Sequence, residues 1–322
     1  LSYALLALLL ALASYGLATL AAAGLVGLIF RRCRRAAGGA ASVRLLFAQR
    51  LFPAAAALLV VGLLVVPAYL AHEPLDAQDE IGPLLVALAG LGALPLLIGS
   101  RRVLRGVSAT RERVARWRRD AVPFELPQSA LEALRIRDRF PVVSVVGLLR
   151  PRLFVAEQVL ATLTPAELAA VYAHEQAHVR SLDNAKTLLM RCCPDWLALL
   201  PLGRVLEEAW QDAAEQAADD AAAGPGRARA LDLASALVKT ARLVPEGARL
   251  DSLPVSALLG GSLAARVERL MREPAPGAGS RAAWLVLASC LLALLGAAAV
   301  PGLHGDVHAL IEQFVRLTSG AR

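Results

Sequence analysis

Val171-Tyr172-Ala173-His174-Glu175-Gln176-Ala177-His178 is the stretch from which the rest of the chain is read. Wound as an α-helix, it sets two imidazoles four residues apart on one face, with a carboxylate beside the first. Two such histidines supply two of the ligands that a tetrahedral zinc ion needs, and Glu175 is placed to take a proton from water in the open position. His-Glu-x-x-His is short enough to arise by chance, so its surroundings decide. Upstream, Thr164-Pro165-Ala166-Glu167 has the form of a helix start: a hydroxyl for free backbone donors, a proline where no donor is missed, and a glutamate that reaches back. A helix from there carries Leu168, Val171, Tyr172 and His178 through about four turns, with Asp183-Asn184 as its expected end. A core helix that merely contains two histidines is the alternative. It leaves unexplained why three of the rarer polar residues crowd one turn of an Ala-rich helix.

The composition is that of a membrane protein. Of 322 residues, 57% are hydrophobic and only 5% aromatic, against about 45–50% apolar in an ordinary soluble domain. The formal charge is +7, nearly all of it arginine, with Lys186 and Lys239 the only lysines. Because the arginines cluster beside apolar runs, the charge reads as membrane topology, and no direct nucleic-acid partner is expected. Cys33, Cys192, Cys193 and Cys290 form no disulfide framework: Cys192 and Cys193 are neighbours, and no spaced pair suits a thiolate zinc site.

Residues 1–30 form an apolar run ending in Arg31-Arg32-Cys33-Arg34-Arg35. As a helix it is about 45 Å long against a hydrocarbon core of about 30 Å, so it spans with tilt or with its ends outside. Its charge follows the apolar part, the reverse of a cleaved signal peptide. A second span is expected from about Leu51 to Leu70, leaving into the acidic stretch His72–Glu80, and a third from Pro83 to Gly99, leaving into Arg101-Arg102-Val103-Leu104-Arg105. A fourth is expected over 282–303, after Arg281. The positive-inside asymmetry puts the amino terminus outside, the basic loop 31–50 and residues 101–281 in the cytoplasm, and the tail 304–322 outside. The expected architecture is therefore a mainly α membrane protein: a three-span region (1–100), a cytoplasmic α+β zincin-like metallopeptidase domain (101–281) and a fourth transmembrane helix (282–303).

Within 101–281, the basic stretch 107–119 suits a helix at an anionic inner leaflet or, equally, a solvated face continuing the third span. Pro141–Gly147 and Arg152–Val155 read as two short strands joined by a turn containing Pro151, whose edge offers either a site for an extended substrate or only a structural hairpin. Leu188–Leu202 is apolar but interrupted by Arg191, Pro194, Asp195 and Pro201, which favours a shallow membrane-facing or core segment over a full span. Leu206–Ala223, Ala228–Leu243 and Gly261–Arg272 read as helices, followed by the loose linker Pro274–Gly279. No internal repeat is present.

Catalytic zinc usually takes three protein ligands. His72, His304 and His308 fall on the other side of the membrane, so the third ligand is expected to be a carboxylate. Glu208, Asp212, Glu215 and Asp219 share one helix face, where like charges repel unless a cation sits against them. Glu215 is taken as the ligand, and Asp219 as the group that holds a ligand histidine by its second ring nitrogen; Asp183 is assigned a supporting contact of the same kind. A solvated acidic stripe is the alternative.

His174-Glu175-Gln176-Ala177-His178 followed by Glu215-Gln216-Ala217-Ala218-Asp219 resembles the signature of membrane gluzincin peptidases, and within them most resembles the BlaR/MecR-type antibiotic-sensing metallopeptidases. Gly147-Leu148-Leu149-Arg150-Pro151, Thr164–Leu168 and Arg266-Val267-Glu268-Arg269-Leu270 are also similar to that family. The resemblance implies Zn2+ held by His174, His178 and Glu215, Glu175 as catalytic base, a bacterial-type inner membrane, and a protein substrate such as a cytosolic transcriptional repressor or the chain itself. The best-known members carry an external penicillin-binding sensor after the last span. Here His304–Arg322 stands in that place, so a separate input partner or another stimulus is expected.

The expected reaction is peptide hydrolysis with Glu175 moving the proton. Arg180, Asn184 or an arginine near Arg227 are the candidates for steadying the developing oxyanion. Rival readings are a quality-control peptidase of the HtpX or prenyl-protease type, a non-enzymatic receptor with a peptidase-like domain and, more weakly, a transporter.

Overall fold

A computed structural model of the chain describes residues 2–33, 40–74, 81–125, 131–245, 263–272 and 281–319. The acidic stretch expected beyond Pro74, the start of the helix expected at Gly261 and the linker 274–279 lie outside them.

The amino-terminal half is built from long apolar helices: α1 (Ser2–Cys33), α2 (Ala40–Val60), which continues through a π-helical turn (Val61–Val65) into α3 (Val66–His72), and α4 (Pro83–Arg119). Among the described residues, three helical stretches are long and apolar enough to cross a membrane: Tyr3–Arg32, Ser42–His72 and Pro83–Arg119. Helix α4 is the third expected span continued without a break through the arginine-rich stretch to Arg119. α1 and α4 meet at Gly16 and Gly92, where a Cβ on Gly92 would overlap the Leu12 carbonyl, so only glycine permits this approach.

After α4 comes a sheet of β1 (Val122–Phe124), β2 (Glu132–Ile136), β3 (Val143–Val146) and β4 (Arg152–Ala156), in the order β1-β2-β4-β3. β3 and β4 form the expected antiparallel hairpin, while β2 lies parallel to β4. Gly147 takes φ 120° in the turn after β3, and a Cβ there would press on the Arg150 carbonyl. Short helix α5 (Glu157–Thr162) follows, then α6 (Pro165–Arg180). Trp117 at the end of α4 packs on Phe154 and donates its indole N–H to Asp138, which joins the helix to the sheet.

α6 starts as its sequence dictates. The Glu167 backbone N–H donates to the Thr164 hydroxyl, the Thr164 N–H donates to the Glu167 carboxylate, and Pro165 occupies the first turn. Its end differs from expectation. The helix stops at Arg180, Leu182 takes the left-handed conformation at φ 56°, and Asp183 and Asn184 open the next helix, α7 (Asp183–Cys192). A left-handed non-glycine residue costs about 1–2 kcal/mol. The turn it makes brings Asp183 back against His178.

The segment after α7 runs through a single 3-10 turn (Trp196–Ala198) into α8 (Pro201–Ala223), and then α9 (Arg227–Arg242) and α10 (Leu263–Met271) follow. The interrupted apolar stretch is a core segment among the long helices. Tyr15 donates its hydroxyl to the Pro194 carbonyl, the Trp196 indole donates to the Gly16 carbonyl, and buried Arg50 pairs with buried Asp195 at 3.0 Å and with Glu207 at 2.9 Å. The link between the two helices that follow α6 is thereby locked to α1 and α2.

The helix found where a fourth span was expected is shorter than the predicted stretch. Helix α11 (Arg281–Ala297) has 17 residues, about 25 Å of rise. The chain then turns at Pro301-Gly302, with Gly302 at φ 83°, into α12 (Leu303–Ser319). The expected amphipathic tail helix is present, and it seats Ile311 and Val315 against Leu6, Leu10 and Tyr69.

Glu167 gives the first testable consequence. Its carboxylate is buried, which alone would raise its pKa. The Lys239 ammonium at 2.8 Å, the Ser235 hydroxyl at 2.6 Å and the Thr164 N–H outweigh burial and hold it down at about 2, from an ordinary 4.5. A depressed carboxylate stabilises the fold fully above its unfolded pKa and loses that stabilisation as pH falls through the folded value. Thermal unfolding of the wild type should therefore fall between pH 4.5 and 2 more steeply than that of Glu167→Gln, while the variant starts lower at neutral pH. Parallel pH profiles would show that the contact contributes nothing.

Candidate active site

Helix geometry puts His174, Glu175 and His178 on one turn of α6, and α8 crosses them with Glu215 and Asp219. His174 Nε2 lies 3.1 Å from His178 Nε2 and 3.4 Å from Glu215 Oε2, and His178 Nε2 lies 3.6 Å from Glu215 Oε1. Ligand atoms from all three residues fall within 4.8 Å of one another. A tetrahedral zinc ion with ligand distances near 2.0–2.1 Å needs edges of roughly 3.3 Å, so the donor set and its spacing fit this ion. The supporting contacts fit too. His174 Nδ1 is 3.0 Å from Asp219 and His178 Nδ1 is 2.7 Å from Asp183, which fixes both rings with their Nε2 atoms facing Glu215.

The acidic stripe on α8 divides. Glu215 and Asp219 are buried at 2% and 0% exposure, whereas Glu208 points outward and pairs with Arg204. What separates them is a partner that the stripe does not reveal. Arg266 of α10 is buried, grips Asp219 through Nε at 2.9 Å and Nη2 at 2.6 Å, and places Nη1 2.9 Å from Glu215. Two buried carboxylates without such a partner would cost several kcal/mol each. Arg269 adds a bond to the Gln216 carbonyl. The Arg266–Leu270 motif was visible in the sequence, but its contact with α8 was not.

The electrostatics favour a cation at this point. Burial works to lower the His174 pKa, yet hydrogen bonds to Asp219 and Glu215 and their charges push it up to about 9. Asp219 is held down at about 2: burial opposes this, and His174 and Arg266 prevail. Burial raises the Glu175 carboxyl, an effect tempered by His174 and His178.

Glu175 is positioned from the sheet. Its Oε2 accepts the Val145 N–H at 3.1 Å, while Oε1 is buried with no partner among the described residues. Val145 lies on β3, the edge strand, so the outward edge of the sheet runs over the histidine helix. Asn184 donates to the Val145 carbonyl at 3.0 Å. A cleft of about 330 Å³ opens here, lined by Glu175, His178 and Glu215 among others. Of the three oxyanion candidates only Asn184 lines it, and its amide is engaged on β3; Arg180 and Arg227 are exposed outside the lining. Arg113 and Arg191 do line it, although the sequence presented one as part of a basic helix face and the other as an interruption in an apolar run.

Residues 144–241 match the family model described as peptidase family M48. The matched stretch takes in β3, β4, α6 and α8 and ends in α9. It supports a metalloprotease domain, and it names the M48 family, not the antibiotic-sensing group that the motifs resemble. No curated protein and no solved structure matches the chain.

Proposed function

We propose that the chain is a membrane-integrated zinc endopeptidase, with a catalytic domain over 101–281 that faces the cytoplasm, three spans before it and a fourth over 282–303. The observation that carries the reading is the convergence of His174, His178 and Glu215 beside the buried, half-free carboxylate of Glu175, inside a segment that matches a peptidase family. When bound, zinc supplies a Lewis acid that polarises a carbonyl and eases deprotonation of water. Glu175 takes that proton on Oε1 and returns it to the leaving amine, while the Val145 N–H keeps its other oxygen still. Asp219 and Asp183 orient the histidines, and Arg266 holds Glu215 in place.

In this reading the enzyme acts in signal-responsive regulation and cuts a soluble protein, such as a cytosolic repressor, or itself. Two features support it. The metal-bearing segment stands between the third and fourth apolar helices, and the 193–200 link ties α8, which carries Glu215, to α1 and α2 through Tyr15, Gly16 and Arg50. A shift of those helices would reach the metal site. The test is metal analysis of the purified full chain, followed by incubation of proteoliposomes with a cytosolic lysate and a search for new fragments, together with labelling of the amino terminus from each side of the membrane. One zinc per chain and a small set of fragments are expected. Absence of zinc overturns the peptidase reading, and an amino terminus in the cytoplasm turns it toward a quality-control peptidase of the HtpX type.

A further inference from the structure

The cleft beside Glu175 has charges that the hydrolytic machinery leaves unused. Of its acidic lining groups, Glu215 is met by Arg266 and Asp183 by His178 and Lys186, while Glu175 accepts the Val145 N–H on one oxygen and keeps the other for the proton transfer. Its two arginines are not met in this way. Arg113 comes from the far end of α4 and Arg191 from the end of α7, and neither forms an ion pair among the described residues. The Nε of Arg113 is buried without an acceptor. Asp138, whose charge reaches Arg113, is committed to the Trp117 indole and the Phe140 backbone N–H. Trp210 of α8 also lines the cleft; it is 4% exposed, and its indole N–H has no acceptor among the described residues.

Two guanidinium groups from separate elements line one cleft, and each is a donor that an anion entering the cleft could satisfy. Guanidinium matches a carboxylate in shape as well as charge, and such bonds strengthen where water is partly excluded. From this we infer that the Arg113 and Arg191 side of the cleft is a subsite for a substrate carboxylate, so that the enzyme selects peptides with an acidic group close to the bond it cuts. The inference deepens the peptidase reading and rests on it. The carboxylate is that of an aspartate or glutamate side chain or of a free carboxyl terminus; both present the same group to the arginines.

The test uses the purified full chain in proteoliposomes with zinc, and internally quenched peptides in which one Glu, Gln or Lys is walked across a neutral sequence. Each peptide is made with a free and an amidated carboxyl terminus. At one or two positions Glu should exceed Gln in kcat/KM by about tenfold, with Lys lower still. In Arg191→Gln and in the double variant with Arg113→Gln the Glu to Gln ratio should fall toward one. A preference that follows the free terminus and not the walked residue supports the subsite with the terminal carboxylate as its ligand. Equal cleavage of Glu, Gln and Lys peptides, or a preference that survives the double variant, overturns it. Failure of the wild type to cut any peptide would count against the peptidase reading alone. In that event fluorescence anisotropy with metal-free protein decides the subsite: the Glu peptide should bind about tenfold tighter than the Gln peptide to wild type and equally to the double variant, and equal binding to wild type overturns the inference. Arg191 is exposed, so its variant tests the subsite without disturbing the buried core.

Discussion

Glu175→Gln should keep the zinc and lose peptide cleavage by about a thousandfold, the middle of the range that positioned general acid–base groups carry. Glutamine has the volume of glutamate, and its amide oxygen can still accept the Val145 N–H that Glu175 Oε2 accepts at 3.1 Å. It cannot take a proton at the other position, where Oε1 is buried with no partner among the described residues. Helix α6 and the ligand histidines should therefore stand unchanged, and metal content should equal that of the wild type. Zinc per chain and kcat measured on the same preparation separate the two effects. Retained cleavage would remove Glu175 from the proton transfer, and lost zinc would make its role structural.

The second large effect is expected at Glu215. Glu215→Ala removes the carboxylate proposed as the third metal ligand and should weaken zinc binding by more than the 10- to 100-fold that a supporting partner carries. Glu208→Ala and Asp212→Ala, on the same helix face but outside the ligand group, should stay close to wild type. Arg266 remains paired with Asp219 when Glu215 is cut back, so the helix contact survives. Glu215→Gln, which keeps the side-chain volume, guards against a packing defect. Zinc affinity measured by competition with a chelator checks all four proteins. Equal losses at 208, 212 and 215 would mean that the stripe acts as a diffuse charge and that the metal takes another ligand.

Both predictions start from signals that lie within a few turns of helix. The spacing of His174 and His178, the cap at Thr164 and the pairing of Glu215 with Asp219 follow from the helical period, which any segment carries alone. The three long apolar helices found among the described residues were legible for the same reason: a predominantly apolar run of roughly 17 to 25 residues satisfies its own backbone and needs no partner to be recognised. The β3–β4 hairpin was legible from its β-branched run and its turn.

β1 and β2 were not. β1 has three residues, one of them Pro123, and β2 alternates weakly; they become strands only by pairing, β2 in parallel with β4. The left-handed Leu182 carries no signal of its own, since its side chain disfavours the conformation that the fold imposes. Asp183 therefore read as a helix end, where the structure makes it a helix start aimed back at His178.

By itself the sequence determined the helices, the apolar spans and the histidine and carboxylate pairs, because each of these rests on contacts one or two turns apart. Only the tertiary structure decided which carboxylates of the α8 stripe are buried, that Arg266 reaches them across 47 residues of chain, that Arg50 seizes Asp195, and that Arg113 and Arg191 share a cleft. Those are pairings between distant segments, and buried charges choose their partners by who else is excluded from water beside them, a property that no local pattern encodes.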